Sequence, residues 1–165
     1  MKKVMTLLLI LVLSGCTRLS IGNETVETKK EEKESIVKCD GEDNKTITFF
    51  SKGDELYAMQ FVFFQELEEF IQSLNISGTL SNEEISKYIN SSLSEKYKDI
   101  KGVSAIGEIL EDKIQYTIMI DFDEADFDQL VENGLLNSGE VESQYISLKK
   151  TKEAYQNNGY ACENQ

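Results

Sequence analysis

The chain has 165 residues and a formal net charge of -13, from 17 basic and 30 acidic side chains, and it contains no His, Trp or Pro. The excess of acid argues against nucleic-acid binding, which needs clustered Lys and Arg to neutralise phosphates. The absence of His excludes Ser-His and Cys-His nucleophile pairs, His-Glu-Xaa-Xaa-His zinc motifs and His metal clusters.

Lys2 and Lys3 precede an apolar run over residues 4–13, interrupted by Thr6. The run is too short to span a bilayer, which takes about 20 apolar residues. With its basic flank and small-residue exit it reads as a secretory signal. The exit, Leu13-Ser14-Gly15-Cys16, matches the lipobox of bacterial lipoproteins. Small residues admit the backbone to a signal peptidase groove, and the Cys16 thiol takes a diacylglycerol that replaces a transmembrane helix as anchor. The expectation is a lipoprotein signal peptide over residues 1–15 and a lipid-bearing Cys16 on the extracytoplasmic face of the cell membrane. An ordinary secretory signal with an incidental cysteine is the alternative. Loss of Lys2 and Lys3 with the leader takes the charge from -13 to -15. Anionic headgroups then repel the mature chain, which leaves anchoring to the lipid.

Residues 17–35 mix Glu24, Glu27, Glu31, Glu32 and Glu34 with Lys29, Lys30 and Lys33. So polar a stretch cannot bury enough apolar surface to order itself, and residues 16–35 read as the lipidated cysteine and a flexible tether, a surface helix being the alternative. Residues 36–165 are a comfortable length for one domain. Cys39 and Cys162 lie at its two ends, in a compartment where disulfides persist. Pairing them would tie the first strand to the C-terminal segment; two separate thiols are the alternative.

Within the domain, residues 36–39 and 45–50 read as strands around the turn Asp40-Gly41-Glu42-Asp43-Asn44. Lys52-Gly53-Asp54 reads as a hairpin loop into a strand over residues 55–64, with Tyr57, Met59, Phe61 and Phe63 on one face. Phe49, Phe50, Phe61, Phe63 and Phe64 read as core in preference to a ligand slot. Leu67, Phe70, Ile71 and Leu74 have helical spacing, which places a helix over residues 65–74.

Leu80-Ser81-Asn82-Glu83-Glu84-Ile85 holds a capping box, with Ser81 as N-cap, Glu84 at N3, and Leu80 and Ile85 at the flanking staple positions. Ile85, Ile89 and Leu93 continue one apolar face, and the helix runs to about Tyr97. A hairpin follows: residues 103–110 and 113–122 joined by Glu111-Asp112, with Ile114, Tyr116, Ile118 and Ile120 alternating. Residues 123–133 read as a short helix closed by Gly134, residues 145–148 as a last strand, and Thr151 as the cap of a final helix that stops near Gly159. Adjacent strand pairs followed by helices give an α+β domain, a largely antiparallel sheet of about five strands with two to four helices.

The most conspicuous polar group is Asp121, Asp123, Glu124, Asp126 and Asp128. Asp-Xaa-Asp spacing supplies oxygen ligands for calcium, and Asp121, Asp123 and Asp126 are the weak metal candidates. An EF-hand loop, though, needs an oxygen ligand where Ala125 stands and Gly where Asp126 stands. Helix capping accounts for more residues: Asp123 as N-cap, Asp126 as the N3 acid, and Phe122 and Phe127 at the staple positions. Asn23, Asn44, Asn75 and Asn90 fit the glycosylation sequon, which carries no weight behind a bacterial lipoprotein signal.

From Lys45 onward the chain resembles the YehR-like lipoproteins, small bacterial lipoproteins of undefined function. The resemblance rests on residues 45–56, ending Ser-Lys-Gly-Asp-Glu-Leu, on residues 93–103, and on residues 117–130 with Ile120-Asp121-Phe122 and Ala125-Asp126-Phe127. The end, Tyr145-Ile146-Ser147-Leu148 through Gly159-Tyr160, fits as well. The resemblance implies a lipid-anchored α+β domain without an assigned ligand, reaction or cofactor. Cys39 and Cys162 stand outside its general pattern. The functional expectation is a non-enzymatic binding or accessory module of the cell envelope, held to the membrane through Cys16, with a small ligand or an envelope protein as partner. The alternative is a carboxylate-based envelope enzyme using Asp121 or Asp123 at the end of a strand.

Overall fold

The computed structural model describes residues 32–74, 80–136 and 145–165. The lipobox, Cys16 and all of the expected tether before Glu32 lie outside them. The described elements are β1 (Glu34–Asp40), β2 (Thr46–Lys52), β3 (Glu55–Glu66), α1 (Leu67–Ser73), α2 (Asn82–Tyr97), β4 (Val103–Leu110), β5 (Lys113–Asp121), α3 (Phe127–Glu132), α4 (Leu148–Asn157) and β6 (Ala161–Asn164). Six strands form one sheet in the order β4-β5-β3-β2-β1-β6, each neighbour antiparallel. The α+β class stands, with one strand more than the sequence reading allows.

One face of the sheet is apolar, and the pairing register lines it up in rows. Val37, Phe49, Met59, Ile120 and Val103 face one another across five strands, and Cys39, Ile47, Phe61, Ile118 and Ala105 form the row beside them. All four helices pack on this face. Leu67, Phe70 and Ile71 of α1 join Ile85 and Ile89 of α2 over Ile114 and Tyr116. Leu130 of α3 and Leu148 and Tyr155 of α4 join the larger cluster around Phe49, Met59 and Ile120. Each such side chain contributes roughly 1.5–3 kcal/mol on full burial, before ordering costs.

Local chemistry sets the element ends. The capping box of α2 is complete: the Ser81 hydroxyl accepts the Glu84 N–H, and the Glu84 carboxylate accepts the Ser81 N–H at 2.9 Å. α3 and α4 close alike. The N–H groups of Gly134 and Leu135 reach the carbonyls of Val131 and Leu130 at 3.0 and 2.8 Å; those of Gly159 and Tyr160 reach Gln156 and Tyr155, each at 3.1 Å. These are Schellman motifs, and the apolar contact that accompanies them is present in α4, where the rings of Tyr155 and Tyr160 meet edge to face at 5.2 Å.

Four sequence expectations are corrected. First, Tyr57 does not share a face with Met59, Phe61 and Phe63. Phe50 pairs with Ala58 and Ser51 with Leu56, so a β-bulge leaves Tyr57 unmatched. Tyr57 turns to the opposite face beside Phe50 and Lys52, and Leu56 takes the buried position. Second, residues 145–148 are not a strand: a single bridge joins Ser147 to Glu55, and the last strand is β6. Third, Ser147, not Thr151, caps α4 by accepting the Lys150 N–H, while Thr151 is buried inside the helix. Fourth, α3 begins at Phe127 rather than near Asp123. Smaller shifts put the start of β1 at Glu34 and that of α1 at Leu67.

Candidate functional site

The acidic segment follows β5. The Asp121 carbonyl accepts the N–H groups of Glu124 and Ala125 at 3.3 and 3.0 Å, and Asp121 Oδ1 accepts the Asp123 N–H at 3.0 Å. This turn wraps over Gly102, whose N–Cα torsion is +74° and where a Cβ would fall 2.6 Å from the Asp121 carbonyl oxygen and 2.7 Å from the Ala125 nitrogen. Only glycine fits both demands.

Asp126 is the N-cap: its Oδ1 accepts the N–H groups of Asp128 and Gln129 at 3.1 and 3.2 Å. The cap is therefore Asp126, three residues later than the sequence reading places it. The rings of Phe122 and Phe127 still stack, at 6.1 Å between centroids, but the staple positions around Asp126 belong to Ala125 and Leu130. Asp121, Asp123 and Asp126 are brought into one loop. Among the described residues no group of three or more Cys, Asp or Glu side chains is placed to hold a metal ion.

Among the described residues, three surface depressions stand out. A groove of about 950 Å³ runs between α1 and the β4–β5 turn, lined by Leu67 and Ile71 together with Glu66, Glu68, Glu69, Glu111 and Asp112. Two of its acids are engaged: Glu66 with Lys113 at 3.1 Å, and Glu68 with the Gln72 amide at 3.2 Å. A hollow of about 450 Å³ lies by the β1–β2 turn, between Asp40, Lys45, Phe64 and Lys113. There the Lys38 ammonium and the Thr46 hydroxyl, both hydrogen-bonded to Asp40, hold its carboxyl below the usual range. A cleft of about 270 Å³ on the helical side is apolar, lined by Phe61, Phe63, Ile118, Leu135, Leu136 and Tyr155. Of the five phenylalanines read as core, Phe49 is fully buried. Phe61 and Phe63 are half-buried in this cleft, and Phe50 and Phe64 point to the other face.

Cys39 and Cys162 are joined in a disulfide, with an S–S distance of 1.97 Å. They stand directly opposite each other in β1 and β6. The Gln165 N–H bonds the Ile36 carbonyl at 2.9 Å, and strict alternation from that pair makes Cys39 and Cys162 a non-hydrogen-bonded pair, where strands bring side chains closest. Cys16 lies outside the described residues.

Among the described residues, an open antiparallel sheet with four α-helices on one face defines the class of fold. Residues 31–161 match the DUF1307 family, described as a protein of unknown function, and the chain belongs to that family. Among solved structures it is similar to the Escherichia coli YehR protein, with 19% identity, a TM-score of 0.58, and coverage of 81% of this chain and 92% of that one. It is also similar to a protein from Streptococcus pneumoniae TIGR4, with 14% identity, a TM-score of 0.56, and coverage of 99% and 97%. Both relatives were solved by NMR. At these identities the likeness is one of fold, and with the family match it bears out the resemblance to the YehR-like proteins. The search of curated proteins gives no match.

Proposed function

We propose that this is a lipid-anchored lipoprotein on the extracytoplasmic face of the cell membrane, whose domain serves the envelope as a non-enzymatic binding or accessory module. The observation that carries the reading is the sequence Leu13-Ser14-Gly15-Cys16 behind two lysines and an apolar run. Two features support it. The Cys39–Cys162 bridge suits a compartment in which disulfides persist. The carboxylate of Asp121, one of the two (with Asp123) at the strand end that an acid-based enzyme would draw on, accepts the Asp123 N–H.

The anchor is tested by growing cells that express the full chain on labelled palmitate and recovering it by detergent partitioning and mass spectrometry. The expected product carries label, enters the detergent phase and starts at a diacylglyceryl Cys16; Cys16→Ser loses the label. An unlabelled wild type, or one that starts at another residue, overturns the reading. The binding role is tested by a thermal-shift panel of divalent cations, sugars, amino acids and peptides. A ligand at a hundred times its dissociation constant adds about 2.7 kcal/mol of stability. A flat panel directs the search to a protein partner, through crosslinking in the membrane.

A further inference from the structure

Among the described residues, strand β4 is an outer edge of the sheet, with β5 as its one ladder neighbour. Alternate residues of such a strand turn their N–H and C=O groups away from the sheet. The Asp121 N–H bonds the Gly102 carbonyl at 2.8 Å, which sets the phase. Ser104, Ile106 and Glu108 bond inward to β5, and Ala105, Gly107 and Ile109 face outward.

At Gly107 both outward groups are taken by one side chain. Asn90 Oδ1 accepts the Gly107 N–H at 3.0 Å, and Asn90 Nδ2 donates to the Gly107 carbonyl at 2.9 Å. The amide thereby offers the acceptor and donor that a neighbouring strand would offer. Its second proton goes to the Ser86 carbonyl at 2.9 Å, so its orientation is fixed and its donors are fully used. Residue 107 has to be glycine for this, because a Cβ there would collide with Cγ2 of Ile89, the residue before Asn90 in α2.

The rest of the edge is of the kind that templates pairing. It is eight residues long, its one charge is Glu108, and Ile106 and Leu110 are 49% and 46% exposed. It is also self-complementary. Two antiparallel copies centred on Gly107 would set Ala105 opposite Ile109 and Ile106 opposite Glu108, with no like charges facing, the geometry of a two-fold interface.

We propose that Asn90 is an edge guard, holding the centre of β4 closed against strand addition by a second copy of this chain. The test is sedimentation of the full chain in detergent, with micelle mass separated from protein mass. Wild type is expected as a monomer, and Asn90→Ala as a species of doubled protein mass that dissociates on dilution. Adding Ala105→Pro to Asn90→Ala removes an outward N–H without touching the β5 ladder, and is expected to restore the monomer. Asn90→Asp keeps the acceptor for Gly107 and loses both donors. It is expected to associate as well, and it decides the matter where circular dichroism shows that Asn90→Ala does not fold. A wild type already dimeric, replacements of Asn90 that stay monomeric, or association that survives Ala105→Pro overturns the proposal.

Discussion

Asp126 and Asp123 make opposite predictions although they lie three residues apart in one acidic run. Asp126→Ala leaves two N–H groups at the start of α3 without an acceptor, and urea denaturation should show a loss of about 1 kcal/mol. Asp123→Ala should stay within about 0.5 kcal/mol, as surface changes away from a cap do. Equal losses at the two positions would mean that the cap lies elsewhere. The sequence reading takes Asp123 as the cap with Asp126 as its N3 acid, and Asp126 stands in the same relation to Gln129. The choice is made by contacts no local pattern contains. The Phe122 N–H bonds the Tyr57 carbonyl at 2.9 Å, and the turn after it closes over Gly102, so the chain is not helical until Phe127. Tyr57 lies off the expected face for a related reason: a bulge depends on the register of two strands, not on the alternation within one.

Among the elements, α2 was legible almost to the residue, because its capping box and its apolar stripe agree about where it starts and which side it buries. It also carries a pH signature. The Ser81 N–H, and then the Ser81 hydroxyl, hydrogen-bond the Glu84 carboxylate and hold its pKa below the ordinary 4.5. A carboxyl whose pKa is lowered on folding contributes stability that is fully present above its unfolded value and lost as pH falls through its folded value. Denaturation midpoints measured downward from pH 5 should therefore fall less steeply for Glu84→Gln than for wild type. Parallel curves would mean that the box does not couple to protons.

β6 was not legible. Ala-Cys-Glu-Asn has little strand propensity, and it is a strand because the edge of β1 and the bridge to Cys39 make it one. Tyr-Ile-Ser-Leu at residues 145–148 has that propensity but is spent otherwise. Ile146 is buried and accepts the Leu56 N–H, while Ser147 caps α4 and donates to Asp54 at 2.6 Å. The proposed anchor at Cys16 is readable because a signal peptidase would read linear sequence. The Asn90–Gly107 pairing is not, because it joins residues of separate elements.

Across the molecule as a whole, the bridge between Cys39 and Cys162 spans 123 positions. Closing a loop of that size in the denatured chain is worth about 5 kcal/mol on the chain-entropy account. The double variant Cys39→Ala/Cys162→Ala should lose a large part of that in guanidinium unfolding without reductant. A loss below about 1 kcal/mol would set that account aside for this chain.

The same bridge decides how the domain answers tension. Consider a tug applied between the chain ahead of β1 and the segment beyond β6. The load enters the sheet at Glu34, travels along β1 to Cys39, crosses the sulfurs and leaves through Cys162. Everything between the two cysteines hangs beside that route as a closed ring under no end-to-end stress. Such a pull straightens a few residues on either side of the crosslink and then stops, where an unbridged sheet would unzip from its first strand inward.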